Sequence, residues 1–170
     1  MSVKNSTSYS GLRIQTLTPA DRDAWIRLRC ELWPDNSPPD LERDSDVFLS
    51  SLQNGKFYRN GMVATVLLAK LPTGAVVGSA EVDLRPYANG CSTTPVGYLE
   101  GWYVTPELRR KGVGRALVRA AEEWARALGC KEMASDTEFT NETSQLAHKP
   151  LSYRETDRLV HFRRDLTATD

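Results

Sequence analysis

Apolar residues recur along this chain at two spacings, one of strand period and one of helix period, and polar or turn-forming residues separate the runs. Arg13–Leu17 alternates as a first strand, and Thr18-Pro19-Ala20-Asp21 supplies a helix start: Thr18 as N-cap, Pro19 at the first helical position, Asp21 at the positive end of the dipole. Trp25, Leu28 and Leu32 follow at helical spacing, and Pro34 ends that helix near Trp33. Asp35–Asp40 reads as a loop whose Asp40 caps a second helix carrying Val47, Phe48 and Leu52, closed by Asn54-Gly55. Met62–Lys70 and Ala75–Leu84 are apolar strands joined by the turn Leu71-Pro72-Thr73-Gly74. After the polar loop Arg85–Pro95 comes a strand, Tyr98–Val104. A long helix then starts around Arg110–Gly112 and runs to Leu128, with Val113, Leu117, Ala120, Trp124 and Leu128 on one stripe and Gly129 as its stop. Lys131–Asp136 predicts a short strand, Asn141–His148 a short helix stopped by Pro150, and Tyr153–Asp157 and Leu159–Asp165 two closing strands. Residues 1–10 and 167–170 have no periodic apolar positions and read as loose ends. The order β-α-α-β-β-β-α-β-α-β-β predicts an α/β (α+β) fold in one domain over residues 1–170: a mixed, mostly antiparallel sheet of six to seven strands flanked by about four helices.

Composition agrees with a water-soluble domain: 170 residues, 40% hydrophobic and 26% charged. No apolar run reaches the roughly 20 residues of a membrane-spanning helix, and the polar start MSVKNSTSYSG lacks a signal core, so a cytoplasmic protein without a membrane partner is expected. Cys30, Cys91 and Cys130 show no paired spacing, which predicts free thiols and no metal. Net charge is zero, so no global field selects nucleic acid. The charges are nevertheless segregated. Glu31, Asp35, Asp40, Glu42, Asp44 and Asp46 face one base, Arg43, in one segment; Arg109, Arg110, Lys111, Arg115, Arg119, Arg126 and Lys131 face only Glu122 and Glu123 in another. Solvated helix faces explain such runs as well as function does.

The segment from Tyr103 to Arg115, YVTPELRRKGVGR, carries the clearest chemistry. Gly112 and Gly114 sit where a strand-to-helix connection becomes a helix N-terminus. The first amides there have no helical partner and the dipole adds about half a positive charge. Glycines allow an anion to approach those donors, and Arg109, Arg110 and Lys111 add charge. No G-x-x-x-x-G-K-[ST] and no third glycine of a dinucleotide fingerprint is present. A basic loop whose glycines merely ease packing is the plain alternative.

Arg109-x-x-Gly112-x-Gly114, after an apolar strand and opening an amphipathic helix, resembles the acetyl-CoA signature [RQ]-x-x-G-x-[GA] of the GNAT N-acetyltransferases, and the element order matches that fold. Leu32-Trp33-Pro34, Asn89-Gly90-Cys91, Leu99-Glu100-Gly101 and Glu132-Met133-Ala134-Ser135-Asp136-Thr137 sharpen the resemblance to the aminoglycoside 6'-N-acetyltransferase branch, over nearly the whole chain beyond its first ten residues. The resemblance implies acetyl-CoA as cosubstrate and an aminoglycoside, a small polycationic amine, as acceptor. It implies that the main chain of Arg110, Lys111, Gly112, Val113, Gly114 and Arg115, with Arg109, cradles the pyrophosphate. The backbone of Trp102, Tyr103 and Val104 then pairs with the pantetheine arm, and Asn141 makes a further cofactor contact.

Acylating an amine requires removing a proton from an ammonium of pKa near 10, so carboxylates are expected near the middle of the sheet. Glu100 lies mid-strand, on the face of Tyr98 and Trp102 by strict alternation; it is either a solvated sheet-face acid or, as the resemblance implies, the base or its relay. Asp136 ends a strand, where it either caps a turn or, by the resemblance, holds the substrate amine. Glu81 and Asp83 share one face of the preceding strand and are weaker candidates for the same pocket, equally well explained by an edge.

His148 occupies the position at which many GNAT enzymes carry a tyrosine that protonates the thiolate, four residues before a Gly-Phe pair that here reads Ser152-Tyr153; a surface histidine at a helix end is the alternative. Trp33 and the acids Asp40, Asp44 and Asp46 belong to a region expected to flank the acceptor cleft, with carboxylates attracting ammonium groups and Trp33 packing on a sugar face. The terminal strands suit pairing across a two-fold axis in a homodimer. Two other readings stay open: an acetyltransferase of another amine (polyamine, amino acid or protein), and a non-catalytic CoA-binding module.

Overall fold

The structure, a computed structural model, describes residues 11–165 and 167; the expected loose end at 1–10 and, apart from Thr167, that at 167–170 lie outside these. The chain divides into two compact units, Met1–Asp136 and Thr137–Asp170.

The first unit is a sheet of six strands in the order β1-β3-β4-β5-β6, with β2 also on β3. Its strands are β1 (Arg13–Thr16), β2 (Phe57–Arg59), β3 (Met62–Lys70), β4 (Val76–Arg85), β5 (Val96–Val104) and β6 (Met133–Ser135). Every pairing is antiparallel except β5 with β6. The mixed, mostly antiparallel sheet and the four α-helices of the described residues agree with the sequence pattern. β2 was not legible: three residues are too few to show a period.

The Thr18 start holds, but as a 3-10 turn, Pro19–Asp21, in which Thr18 and Asp21 hydrogen-bond each other reciprocally; helix α1 (Arg22–Leu32) follows. Helix α2 (Pro38–Ser50) begins two residues before Asp40, with Ser37 as its cap residue and prolines filling the first positions, where a missing N–H costs nothing. Trp25 and Leu28 of α1 and Phe48 of α2 are buried with Ala64, Val66 and Leu68 of β3, and Phe48 stacks on Phe57 at 4.9 Å.

Helix α3 (Val113–Ala127) packs on the other face. Its buried stripe is Val113, Leu117, Val118, Ala121 and Ala125, one position off the expected Ala120 and Trp124. The sheet approaches so closely that a Cβ on Gly97 would lie 2.7 Å from the Ala125 methyl. Alanines fit that gap, and Trp124 is turned to the rim.

In the second unit, α4 (Glu142–His148) starts at Asn141 as expected and passes into a 3-10 turn, Lys149–Leu151. The strands expected at Tyr153–Asp157 and Leu159–Asp165 do not form; the segment is without helix or strand, and Leu159, Val160 and Phe162 are exposed. Alternating residues make a strand only when another strand supplies the hydrogen bonds, and among the described residues none does.

Candidate functional site

Past Val104 the chain makes a 3-10 turn, Pro106–Leu108, and then two left-handed steps, Arg110 (φ 61) and Gly112 (φ 86), before α3 begins. The first α3 bond runs from the Ala116 N–H to the Gly112 carbonyl at 3.0 Å, so the amides of Val113, Gly114 and Arg115 precede any helical acceptor. The side chain of Val113 is in the core, and those of Arg110, Lys111 and Arg115 are exposed around the turn.

The two glycines serve different needs. Nothing lies within 4 Å of a Cβ on Gly112; its backbone conformation is what requires glycine. Gly114 is required by packing, because a Cβ there would lie 2.7 Å from Cζ2 of Trp102. Arg109 braces the turn from below: its Nε donates to the Val104 carbonyl at 2.9 Å, and its guanidinium lies 5.4 Å from the Tyr103 ring centre. A helix start with outward amides, a left-handed glycine and a basic rim fits a pyrophosphate group.

β5 holds the other half of the site. Its pairing with β4 runs Tyr98 opposite Asp83 and Leu99 opposite Val82, then jumps to Gly101 opposite Glu81. Glu100 is therefore the extra residue of a β-bulge. Strict alternation, which put Tyr98, Glu100 and Trp102 on one face, fails at that step. Tyr98 and Glu100 face the side of Asp83 and Arg85, and Trp102 turns to α3.

Glu100 is held by Arg85, whose Nε and Nη2 both reach Oε1, at 3.0 and 2.6 Å. The Arg85 guanidinium lies 3.3 Å above the centre of the Tyr98 ring. Asp83 is buried beside Glu100, with Arg59 Nη1 3.4 Å away. Burial pushes the Asp83 carboxyl up to about 7, against the pull of Arg59 and aided by the Glu100 and Glu81 carboxylates. Asp136 is exposed just past β6. Burial, then the nearby Asp136 carboxylate, pushes the Tyr98 phenol up to about 12. Glu100 and Asp136 both act on Tyr98 and so share one locality.

Glu81 does not join them. It is 1% exposed and accepts from Trp25 Nε1 (3.1 Å) and Arg59 Nη2 (2.7 Å), with Arg29 Nε 3.0 Å away. A carboxylate so enclosed anchors α1 and β2 to the sheet and offers nothing to a substrate. Trp33 packs edge-on over Gly101, where a Cβ would lie 3.0 Å from its ring, under the Arg29 guanidinium. Of the acids expected to attract ammonium groups, Asp40 pairs with Arg43, Asp44 with Arg29 and Asp46 with Arg22, and all three carboxylates are exposed.

Two participants were missed. Arg85 is the last residue of β4, and its i, i+2 relation to Asp83 and Glu81 was the available signal. Glu132 accepts from the Ser92 and Thr93 amides at 2.8 and 2.7 Å, fixing the loop before β5; those bonds, the Thr93 hydroxyl first, hold its carboxyl below the usual range.

Within the second unit the Asn141 side-chain oxygen accepts from the Ser144 amide at 3.0 Å, so Asn141 caps its own helix. His148 Nδ1 lies 2.8 Å from the Ser144 carbonyl, which assigns the proton to Nδ1, and its ring meets Tyr153 edge-on at 5.4 Å. Ser152, in the place of the expected glycine, adopts a left-handed φ of 69. The three cysteines are free, and no group of side chains among the described residues could hold a metal. No described helix is long and apolar enough to cross a membrane.

A family model described as acetyltransferase (GNAT) family matches residues 24–153. An aminoglycoside N(6')-acetyltransferase type 1 of Klebsiella aerogenes is 44% identical over 90% of this chain and 96% of its own length. One from Stenotrophomonas maltophilia is 43% identical, over 90% and 93%. Among solved structures, AAC(6')-Iy in complex with the bisubstrate analogue CoA-S-monomethyl-acetylneamine superposes with a TM-score of 0.79 at 31% identity, covering 92% of this chain and 99% of that one. The aminoglycoside antibiotic 6'-N-acetyltransferase AAC(6')-Ih of Acinetobacter baumannii gives 0.77 at 33%, over 92% and 99%.

Proposed function

The chain belongs to the acetyltransferase (GNAT) family, and on that footing we propose that it transfers an acetyl group from acetyl-CoA to the 6'-amino group of an aminoglycoside, acting over residues 1–170 as one catalytic domain. The observation that carries this reading is the open helix start at Gly112, braced against the strand whose bulge presents Glu100. The relatives' common name supplies the acceptor class.

Acetyl-CoA, the second substrate, supplies the activated acyl group. The amides of residues 113–115 and the left-handed turn of Arg110–Gly112 would hold its pyrophosphate, the exposed cations Arg110, Lys111 and Arg115 adding charge, and the Trp102–Val104 backbone would take the pantetheine arm. Arg109 acts from the second rank, fixing the strand end. Asn141 retains its proposed cofactor contact through the amide nitrogen, its oxygen being the cap. Asp136 binds an acceptor ammonium and Glu100 receives the proton of the reacting one. Asp83, raised to about 7 and so only partly ionised near neutral pH, spares Glu100 a second full negative charge. Trp33 offers its exposed part to a sugar face. His148, its Nδ1 committed to the Ser144 carbonyl, serves as the proton donor to the departing sulfur only as the imidazolium, which carries its second proton on Nε2.

The same reading takes the protein as a cytoplasmic homodimer without nucleic-acid or membrane partners. Exposed Leu159, Val160 and Phe162, 63, 78 and 93% accessible, support a second copy as the pairing partner of that segment; light scattering at a monomer mass of 19.0 kDa would refute it.

A thiol-release assay with kanamycin, spermidine and a lysine peptide tests the activity. Turnover of kanamycin, with acetylation at the 6' nitrogen by NMR and a drop of about 100-fold or more in Glu100→Gln, is the expected result. Turnover of spermidine or peptide alone would move the chain to another acceptor, and cofactor binding with no turnover would make it a binding module.

A further inference from the structure

A guanidinium pressed flat on a phenol ring and pointed at a carboxylate occupies a complete cation site, and the protein fills that site with its own side chain. Arg85 lies 3.3 Å from the Tyr98 ring centre and 2.6 Å, through Nη2, from Glu100 Oε1. The Asp136 carboxylate lies close enough to the same ring to help raise the Tyr98 phenol. An aromatic face and two carboxylates are what an alkylammonium group requires.

We propose that Arg85 is an internal stand-in for the acceptor's ammonium group, displaced when a polycationic acceptor binds, and that this competition makes Arg85 a specificity-determining residue. The inference rests on the aminoglycoside reading of the site.

Arg85 is built to leave in a way that its neighbour Arg59 is not. Both its nitrogens converge on a single oxygen of Glu100, which forgoes the two-oxygen fork of a strong guanidinium–carboxylate pair. Its side chain is 40% accessible, and it is the last residue of β4, at the start of the polar loop leading to β5. Arg59, 22% accessible, is tied to both Glu81 and Asp83. Displacing Arg85 costs the acceptor one half-exposed ion pair. A monoamine gives back one ion pair at most and gains nothing over the resident cation. An acceptor with several ammonium groups replaces Arg85 at Glu100 and engages Asp136 as well. The resident arginine therefore screens single amines out of the site.

The test is steady-state kinetics of the full chain and its Arg85→Ala and Arg85→Lys variants, with kanamycin and with a simple monoamine sugar as acceptors. Arg85→Ala is expected to lower the kanamycin KM by roughly fivefold, about 1 kcal/mol at 25 °C, and to lower the monoamine KM by more. Arg85→Lys is expected to restore the unmodified values. Guanidinium chloride at about 20 mM should then compete with kanamycin in Arg85→Ala, beyond a sodium chloride control, and have little effect on the unmodified protein. A merely structural arginine would not produce that difference. An unchanged or raised kanamycin KM in Arg85→Ala, or equal inhibition by guanidinium in both proteins, overturns the inference alone. Failure of the unmodified protein to acetylate kanamycin overturns the functional reading, and the inference with it.

Discussion

Replacing Gly114 with alanine puts a methyl carbon 2.7 Å from Cζ2 of Trp102 and 3.2 Å from Cε2 and Nε1. Carbon atoms in contact ordinarily stand about 3.5–4.0 Å apart, so α3 or the indole must retreat by roughly 1 Å. Overpacking on that scale costs about 1–3 kcal/mol; alanine's better helix propensity returns up to about 1 kcal/mol. The net expected loss is about 1–2 kcal/mol, or some 2–8 °C in Tm for a chain of this size. The helix start moves with the collision. If it no longer offers one of its amides to a charged oxygen, about 1.5–3 kcal/mol of binding goes too, so acetyl-CoA affinity should fall at least tenfold by calorimetry. The double-mutant cycle with Trp102→Leu isolates the cause. Removing the indole makes room, and the cost of Gly114→Ala should shrink by about 1 kcal/mol or more in that background. A Gly114→Ala protein with unchanged Tm and unchanged acetyl-CoA affinity, or with the same loss whether or not Trp102 is present, would refute the packing account of this glycine.

Three further outcomes are expected. Asp83 holds a proton that the unfolded chain, at an ordinary 3.8, releases earlier, so folding is favoured below that value and loses the benefit as pH rises from about 4 to about 7. Urea unfolding should show stability falling by up to about 1.4 kcal/mol per pH unit across that window, and Asp83→Asn should flatten the slope; an identical slope in both proteins counts against it. Glu81→Ala leaves Arg29 and Arg59 without their shared carboxylate, and should cost about 3–5 kcal/mol. Glu81→Gln, if soluble, should keep the acceptor KM while losing Tm, and a KM rise with unchanged Tm would return Glu81 to the substrate. Ser152→Gly relieves a left-handed residue at φ 69 and should raise local stability by up to about 1 kcal/mol, read as slower amide exchange in α4; faster exchange would contradict the strain.

The long strands were legible because Met62–Lys70 is apolar on both faces and Val76–Arg85 on one, runs of strand length that a covered sheet accommodates. The helix starts at Thr18 and Asn141 and the turn at Gly112 were legible because capping and left-handed backbone leave marks in residue type. The bulge was not. An added residue between Leu99 and Gly101 changes no residue's character, and only the partner strand reveals it. Nor does composition say where a charge is spent: Asp44 reads as an acid on a solvated helix until Arg29, 15 positions away in sequence, is found against it. The closing strands failed for a related reason, since pairing is a property of two segments and the sequence pattern describes one.

The slip at Glu100 lets one ribbon of chain address two separate tenants. Upstream of it, Tyr98 looks toward the amine-side carboxylates; downstream, Trp102 looks toward the helix that opens at Gly112. On the proposed reading, choice of acceptor and grip on the coenzyme sit back to back on a shared spine only a few residues long. Mutations that retune one can leave the other intact, provided that the kink between them survives. Deleting Glu100 would do more than remove a carboxylate: it would straighten the spine and turn the indole's half inside out.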